Sequence, residues 1–221
     1  RLNRDIGNRR ITMAKQTVLG VCGLCGVRKT KGAMLNHLKR CLPSSAKGGS
    51  MLPLALLRVE GAYAPDFWLD VAAPSNSHLA DLDDLLRKVW LECCGHMSEF
   101  YVGRYNAIGM EAKISHVFGS ASTRIGYIYD WGSSTELTIR SAGFTEGTTK
   151  TTKRPIVAAR NEPPLLPCDI CSLPASSLCS DCQDTGESFF CPSHESGHSC
   201  GEERLLPVVN SPRMGVCGYT G

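Results

Sequence analysis

The chain has 221 residues, of which 42% are hydrophobic and 20% charged, a composition typical of one globular domain with small satellites. No apolar run reaches the roughly 20 residues that span a bilayer, and the basic N-terminus lacks the apolar centre of a signal peptide. These features exclude a membrane protein and predict a cytoplasmic location. The net charge of +3 is uneven, because residues 1–40 hold ten basic residues and one acid, whereas residues 168–221 hold two basic residues and seven acids. We therefore expect the two ends to meet different partners or to attract each other.

The twelve cysteines suggest metal binding. Many stand in pairs separated by two residues, and such pairs close on one tetrahedral ion because a short turn aims both side chains at a single point. Disulfides are the alternative, but the spacing, the interleaved histidines and the missing signal peptide favour reduced thiolates on zinc. We expect three zinc ions, one near the N-terminus and two near the C-terminus.

The first predicted element, within residues 1–42, is a basic arm followed by a zinc finger with the ligands Cys22, Cys25, His37 and Cys41. His37 and Cys41 are four residues apart, so on a helix they share one face. The positive charge of this segment suits a nucleic-acid backbone, and the candidate contacts are Arg28, Lys29, Lys31, Lys39 and Arg40. One finger offers a small interface, so a docking or purely structural role is the alternative.

Residues 43–51 are predicted to be a linker, because they are small and turn-forming and show no apolar periodicity. Residues 52–160 have the apolar patterning of a true core, with predicted strands at 54–59, 67–71, 100–104, 124–129 and 136–140. Residues 77–90 predict one main helix with Ser77 as N-cap and an apolar stripe. The fold class that follows is α+β: a small mixed or antiparallel sheet with one main helix, flanked by an N-terminal zinc finger and a C-terminal two-zinc module.

Several motifs of this central segment are distinctive, namely Phe67-Trp68, Leu79-Ala80-Asp81-Leu82-Asp83, His96-Met97-Ser98-Glu99-Phe100 and Tyr127-Ile128-Tyr129-Asp130-Trp131-Gly132. On these residues the chain resembles the plasmid pRiA4b ORF-3-like family, a group known mostly as a domain of unknown function. It departs from many members, which have Leu-His at the place of Leu82-Asp83 and a Gly-Asp-Ser-Trp-like run at residues 132–136. The run of residues 90–96, the end of the tail at residues 210–219 and the zinc-binding flanks look like one branch of that family. The likeness covers residues 52–140 and, more loosely, 160–221, and it implies an α+β fold and no established activity.

Polar residues of the central segment could instead converge in an enzyme pocket, for which the candidates are Cys94, His96, Asp130 and Glu136. A cysteine nucleophile needs a base within hydrogen-bond reach, and residues two apart on a helix do not face each other. We therefore interpret Cys93 and Cys94 as small buried residues and His96 as a residue of the helix end, and we assign no catalytic residue.

Residues 161–221 predict a module with two zinc ions, and they offer nine ligands for eight positions. In an interleaved arrangement one ion is bound by Cys168, Cys171, Cys191 and His194. The other is then bound by Cys179, Cys182, Cys217 and either His198 or Cys200. A sequential arrangement, with the first four cysteines on one ion, is the alternative. Four-ligand sets rich in thiolate are closed and structural, which disfavours a catalytic zinc.

The sequence thus predicts a zinc-stabilised, non-enzymatic binding or interaction protein that contacts nucleic acid through its basic finger. One alternative is an uncharacterised enzyme with a pocket at His96, Asp130 and Glu136. The other is an adaptor that docks a protein partner through the acidic C-terminal zinc module. No membrane partner is expected.

Overall fold

The computed structural model describes residues 18–44, 50–148, 154–183 and 186–221. The predicted basic arm, up to residue 17, and most of the predicted linker lie outside these ranges. Within them, no helix has both the length and the apolar character needed to cross a membrane.

An antiparallel sheet forms the centre of the molecule. Its strands are β1 (Leu19–Cys22), β2 (Arg28–Thr30), β3 (Leu52–Gly61), β4 (Trp68–Pro74), β5 (Ser98–Val102), β6 (Asn106–Ile108), β7 (Arg124–Tyr129), β8 (Thr135–Gly147) and β9 (Ile156–Asn161). They pair in the order β2-β1-β9-β4-β3-β8-β7-β5-β6. The predicted α+β class is confirmed, whereas the expectation of a small sheet is wrong, because nine strands of the described residues join it.

Among the described residues, three α-helices lie in the domain of this sheet, α1 (Lys31–Ser44), α2 (Leu79–Leu86) and α3 (Ile114–Val117), and a fourth, α4 (Pro192–Glu195), lies near the C-terminus. α2 continues into a π-helical turn over Arg87–Leu91, so the main helix lies close to its predicted place. Its N-cap is His78 rather than Ser77, and the His78 N–H donates to the Asp81 carboxylate at 3.0 Å. Helix and turn bury an apolar stripe that includes Leu82, Leu86 and Trp90.

Each face of the sheet carries its own helix and its own core. Leu57 and Val59 of β3 point to the side of α2, together with Leu82 and Trp90. The alternating residues Leu54 and Leu56 point to the other side, where they meet Met34, Leu38 and Leu42 of α1. Because successive residues of a strand face opposite sides, the unbroken apolar run of β3 is buried on both.

The predicted finger is therefore not a separate satellite. β1 pairs with β9, so the hairpin of β1 and β2 extends the sheet, and α1 covers one of its faces. At the strand contact Gly20 lies against Trp68, and a Cβ there would clash with the indole ring. The close approach explains why this position carries a glycine.

The C-terminal residues form a second, three-stranded sheet in the order β11-β10-β12, from β10 (Ser177–Cys179), β11 (Phe189–Phe190) and β12 (Leu205–Pro207). After β12 the chain returns to the large sheet. There the Ser211 hydroxyl donates to the Trp90 carbonyl at 2.6 Å, and Asn210 exchanges hydrogen bonds with Asn161. We call residues 208–219 the C-terminal segment.

Candidate metal centres

Among the described residues, sixteen side chains gather into four groups, each with three cysteines and one histidine. The finger group is Cys22, Cys25, His37 and Cys41. The bridge group is Cys93, Cys94, His96 and Cys217. The first tail group is Cys168, Cys171, Cys191 and His194, and the second tail group is Cys179, Cys182, His198 and Cys200. Together they take in all twelve cysteines of the chain, which are thiols rather than disulfides.

Distances within the groups fit a tetrahedral ion. Zn–S bonds of about 2.3 Å and Zn–N bonds of about 2.0 Å place two sulfurs about 3.8 Å apart and a sulfur and a nitrogen about 3.5 Å apart. The Sγ atoms of Cys22 and Cys41 are 4.0 Å apart, and those of Cys182 and Cys200 are 3.6 Å apart. His37 Nε2 lies 3.3 Å from Cys25 Sγ. All four ligand atoms of every group lie within 4.8 Å of one another.

The finger group and the first tail group begin with the same local turn. Cys22 N–H donates to the Val27 carbonyl, and Gly26 N–H donates back to the Cys22 carbonyl. In the tail, Cys168 N–H donates to the Leu173 carbonyl and Ser172 N–H donates back to Cys168. The fifth residue is left-handed in both turns, with φ of 75° at Gly26 and 63° at Ser172. This geometry is what brings two cysteines separated by two residues onto one point.

Thiol acidity differs within these turns. A hydrogen bond from the Val27 backbone lowers the pKa of Cys25. Burial raises the pKa of Cys168, but bonds from the backbone of Cys191, Ile170 and Cys171 outweigh it and lower that pKa to about 6. In each of these two groups, one thiol therefore loses its proton more readily, which favours metal binding.

Other ligands need a cation to lose their proton. Burial, together with the neighbouring thiols, raises the pKa of Cys41 and of Cys182 to about 12. A divalent ion at the centre of each group would supply the positive charge that holds these sulfurs as thiolates. The donor set, mostly thiolate with one imidazole, is the one that zinc prefers.

The tail ligands follow the interleaved arrangement, not the sequential one. Cys168 and Cys171 share their group with Cys191 and His194, as the interleaved alternative places them. His198 and Cys200 both lie in the second tail group, with Nε2 and Sγ at 3.5 and 3.6 Å from Cys182 Sγ, so both could bind its ion. This fills the position that the sequence analysis gave to Cys217.

Cys217 belongs instead to the bridge group, which is a correction to its predicted place. It lies beyond β12, where the chain has left the tail module and returned to the large sheet, and its Sγ is 3.3 Å from His96 Nε2. Cys94 is exposed, so the interpretation of this residue as a small buried one is wrong. Four groups rather than three could therefore hold an ion.

The candidate enzyme pocket assembles only in part. His96 Nε2 lies 3.6 Å from Asp130 Oδ2, and Cys94 belongs to the same group as His96. Glu136 does not join them. It neighbours Leu137, whose side chain lies in the core on the α2 side, so Glu136 faces the opposite side and accepts a hydrogen bond from the Tyr101 hydroxyl at 3.0 Å.

Sequence reasoning missed two members of this region, Cys93 as a ligand and Arg213. The Arg213 guanidinium is fully buried and donates to Asp130 Oδ2 at 2.9 Å and to Cys93 Sγ at 3.4 Å. Burial raises the pKa of Asp130, but Arg213 and the N–H groups of Ser133 and Gly132 outweigh it and lower that pKa. The surplus ninth ligand of the tail was the available signal that one cysteine had a partner elsewhere.

The five predicted nucleic-acid contacts fall into two sets. Arg28 is bonded to Glu162 at 2.5 Å and Lys31 to Glu60 at 2.7 Å. The remaining cations, Lys29, Lys39 and Arg40, are exposed and form no ion pair among the described residues. The charges of Lys29 and Arg40 reach the finger group, because after burial they are what lowers the pKa of His37.

No protein-family model matches the chain, and no curated protein matches it. Among solved structures, it is similar to a protein of unknown function from Methanosarcina mazei Go1, with 19% identity and a TM-score of 0.42. That match covers 49% of this chain and 68% of the other. The resemblance of the central segment to the pRiA4b ORF-3-like family stays a prediction.

Proposed function

We propose that this is a zinc-stabilised, non-enzymatic binding protein, in which the ions hold surfaces for a partner rather than a reaction centre. The observation that carries the proposal is the closure of the finger group and both tail groups, each with four ligand atoms within 4.8 Å of one another. A catalytic zinc keeps one position for water or substrate, whereas closed sets rich in thiolate are structural. A cytoplasmic location, where thiols stay reduced, belongs to the same proposal.

The partner we propose for the finger is a nucleic-acid backbone. Lys29 lies on β2, and Lys39 and Arg40 lie on the exposed side of α1. The hairpin of β1 and β2 pairs with the large sheet and α1 packs on it, so the backbone positions of these three residues are set by the fold without a partner. Cations of this kind bind phosphate without reading the base sequence.

The test is the affinity of the full chain, loaded with zinc, for a fluorescent DNA duplex and for a single-stranded RNA, measured by anisotropy at several salt concentrations. Three phosphate contacts on a duplex predict that raising salt from about 50 to about 200 mM weakens binding roughly 40-fold. The triple variant Lys29→Gln, Lys39→Gln, Arg40→Gln should remove most of that salt dependence.

The matched control removes the same charge from exposed positions elsewhere, with Lys88→Gln, Arg104→Gln and Lys113→Gln. It should bind as the wild type does. Equal loss of affinity in both triple variants would show that the affinity depends on net charge and not on the finger. An absence of binding at low salt would refute the proposal.

A second candidate function, a protein adaptor, is favoured by one observation on the tail module. Leu165, Ile170 and Leu173 expose 68%, 51% and 58% of their surface around the turn of the first tail group. Apolar side chains held on a metal-bound turn are typical of a docking surface, and the acidic module suits a partner with basic residues around an apolar one.

The variant Ile170→Asn, Leu173→Asn should lose such a partner in a pull-down with its zinc content unchanged. Met51→Asn, at another exposed apolar residue, is the control, and retention of the partner by the tail variant would contradict the adaptor function.

A further inference from the structure

The bridge group differs from the other three groups in where its ligands come from. Cys93, Cys94 and His96 follow the π-helical turn at the end of α2, in the domain of the large sheet. Cys217 lies 121 residues after His96, in the C-terminal segment. We propose that this group is a fourth zinc site, and that its ion fastens the C-terminal segment to the large sheet. The proposal holds whether or not the finger binds nucleic acid.

The backbone around the group is shaped for ligation. Gly95 has φ of 74°, and this turn lets the thiols before it and the imidazole after it reach the same point. Cys217 has φ of 53° and Asp130 has φ of 66°, a left-handed region that side chains other than glycine rarely adopt. Among the described residues only two other non-glycine positions, Tyr105 and Ser172, share it. Unfavourable backbone of this kind persists where surrounding contacts fix it, and a bond from Cys217 to metal would be such a contact.

The charges around the group also fit a bound ion. Three thiolates exceed the charge of Zn²⁺ by one, and the Asp130 carboxylate adds a second negative charge beside His96. The buried Arg213 guanidinium lies between them and donates to both Cys93 Sγ and Asp130 Oδ2. Hydrogen bonds from outside the ligand set that orient the ligands and offset their charge are what metal sites in proteins require.

The position of Cys217 determines what the ion does. On one side of it, Ser211 is bonded to Trp90 and Arg213 to Asp130, both in the domain of the large sheet. In the same segment the Gly215 carbonyl accepts a hydrogen bond from Gln183 of the tail module at 2.7 Å. An ion on Cys217 therefore fixes the segment through which the tail module is held against the sheet.

The bridge group is also the most open of the four. None of its ligands is buried, with Cys94 and Cys217 exposed and Cys93 and His96 half-buried, whereas each of the other groups includes at least one buried cysteine. A chelator reaches exposed ligands first, so the bridge ion should leave before the others, and the C-terminal segment should loosen reversibly with it.

The experiment counts ions by native mass spectrometry of the full chain and follows backbone protection by deuterium exchange. We expect four zinc ions in the wild type and three in Cys217→Ala, with faster exchange at residues 208–219 in that variant. Cys41→Ala, which removes a ligand of the finger group, is the matched control: it should also hold three ions but leave residues 208–219 protected. One equivalent of ion removed by a mild chelator should reproduce the Cys217→Ala exchange pattern, and added zinc should reverse it.

Three results would overturn the inference. The first is a wild type with three ions, or a Cys217→Ala variant that keeps four. The second is a mass lower by the two hydrogens of a disulfide in the bridge group, which would make it a covalent link instead of a metal site. The third is equal exchange of residues 208–219 in the two alanine variants, since the ion would then not fasten the segment. Cys217 is exposed and lies outside both cores, so Cys217→Ala should fold. Cys94→Ser removes another exposed ligand of the same group and should lose the same single ion.

Discussion

The contact between Arg213 and Asp130 should be among the most costly in the molecule to break. Arg213 is fully buried, 8% of the Asp130 side chain is exposed, and the guanidinium also donates to the Ser133 carbonyl and to Thr135 Oγ1. Removing one partner of a buried pair leaves an uncompensated charge, which costs about 3–5 kcal/mol. We expect Arg213→Met to lower the free energy of unfolding by about that amount.

The variant Asp130→Asn tests the negative charge of Asp130 separately from the turn that its side chain holds. Asp130 Oδ1 accepts the N–H groups of Gly132 and Ser133, and an asparagine oxygen can accept the same bonds. Asparagine also tolerates the left-handed backbone of this position, so the turn should remain. The variant then removes the carboxylate charge alone, and the double variant with Arg213→Met should cost less than the two single variants added together.

The assay is urea denaturation of the zinc-loaded chain, with zinc content checked in every sample. Arg213→Lys, which keeps the charge but not the fork of donors, should fall between wild type and Arg213→Met. Exposed ion pairs contribute up to about 1 kcal/mol. If Arg213→Met lowers the free energy of unfolding by less than that, the reasoning from burial is refuted. Additive effects of Arg213→Met and Asp130→Asn would refute the pairing itself.

Three further predictions concern other parts of the chain, each checked by the same denaturation assay. Ser172→Gly should raise stability by about 0.5–1 kcal/mol, because glycine adopts the left-handed turn without strain, and Gly26→Ala should lower it by about 1–2 kcal/mol; opposite signs would contradict the shared turn. Arg58→Met should cost about 3–5 kcal/mol, because the fully buried Arg58 is bonded to the fully buried Asp70 across the strands, and a neutral outcome would mean that the carboxyl is protonated in the fold. Gly20→Ala should cost more than about 2 kcal/mol, since its Cβ meets a buried indole and a backbone carbonyl, and a smaller loss would show that β1 is not held tightly against the sheet.

Local patterns in the sequence predicted local structure well. The strand at residues 124–129 lies where its alternation of apolar residues predicts it, and α2 with its turn follows the predicted stripe. The turns at Cys22 and Cys168 depend on residues within six positions of each other, so their spacing is sufficient to identify them. Spacing was less decisive for the ligands of the tail, because it left the interleaved and sequential arrangements open and gave Cys217 to the second ion.

Contacts between distant parts of the chain could not be predicted in this way. Nothing near Cys217 indicates that its partners lie at residues 93–96, because only the folded sheet brings the two together. The size of the sheet was underestimated for a related reason: the finger was treated as a unit of its own. Met34, Leu38 and Leu42 recur every four residues, a stripe that a small finger does not need, and this signal could have revealed that α1 covers the sheet.

The pairing of β1 with β9 has a consequence for the protein without metal. β9 would be the last strand of the sheet if the hairpin of β1 and β2 were absent, and its row of backbone groups would then be open to another chain. Cys22, at the end of β1, belongs to the finger group, so an ion bound by that group would also help to keep this edge covered. Loss of the finger ion should therefore leave this strand edge open to other copies of the chain, so the protection of the sheet against aggregation depends on the supply of an ion.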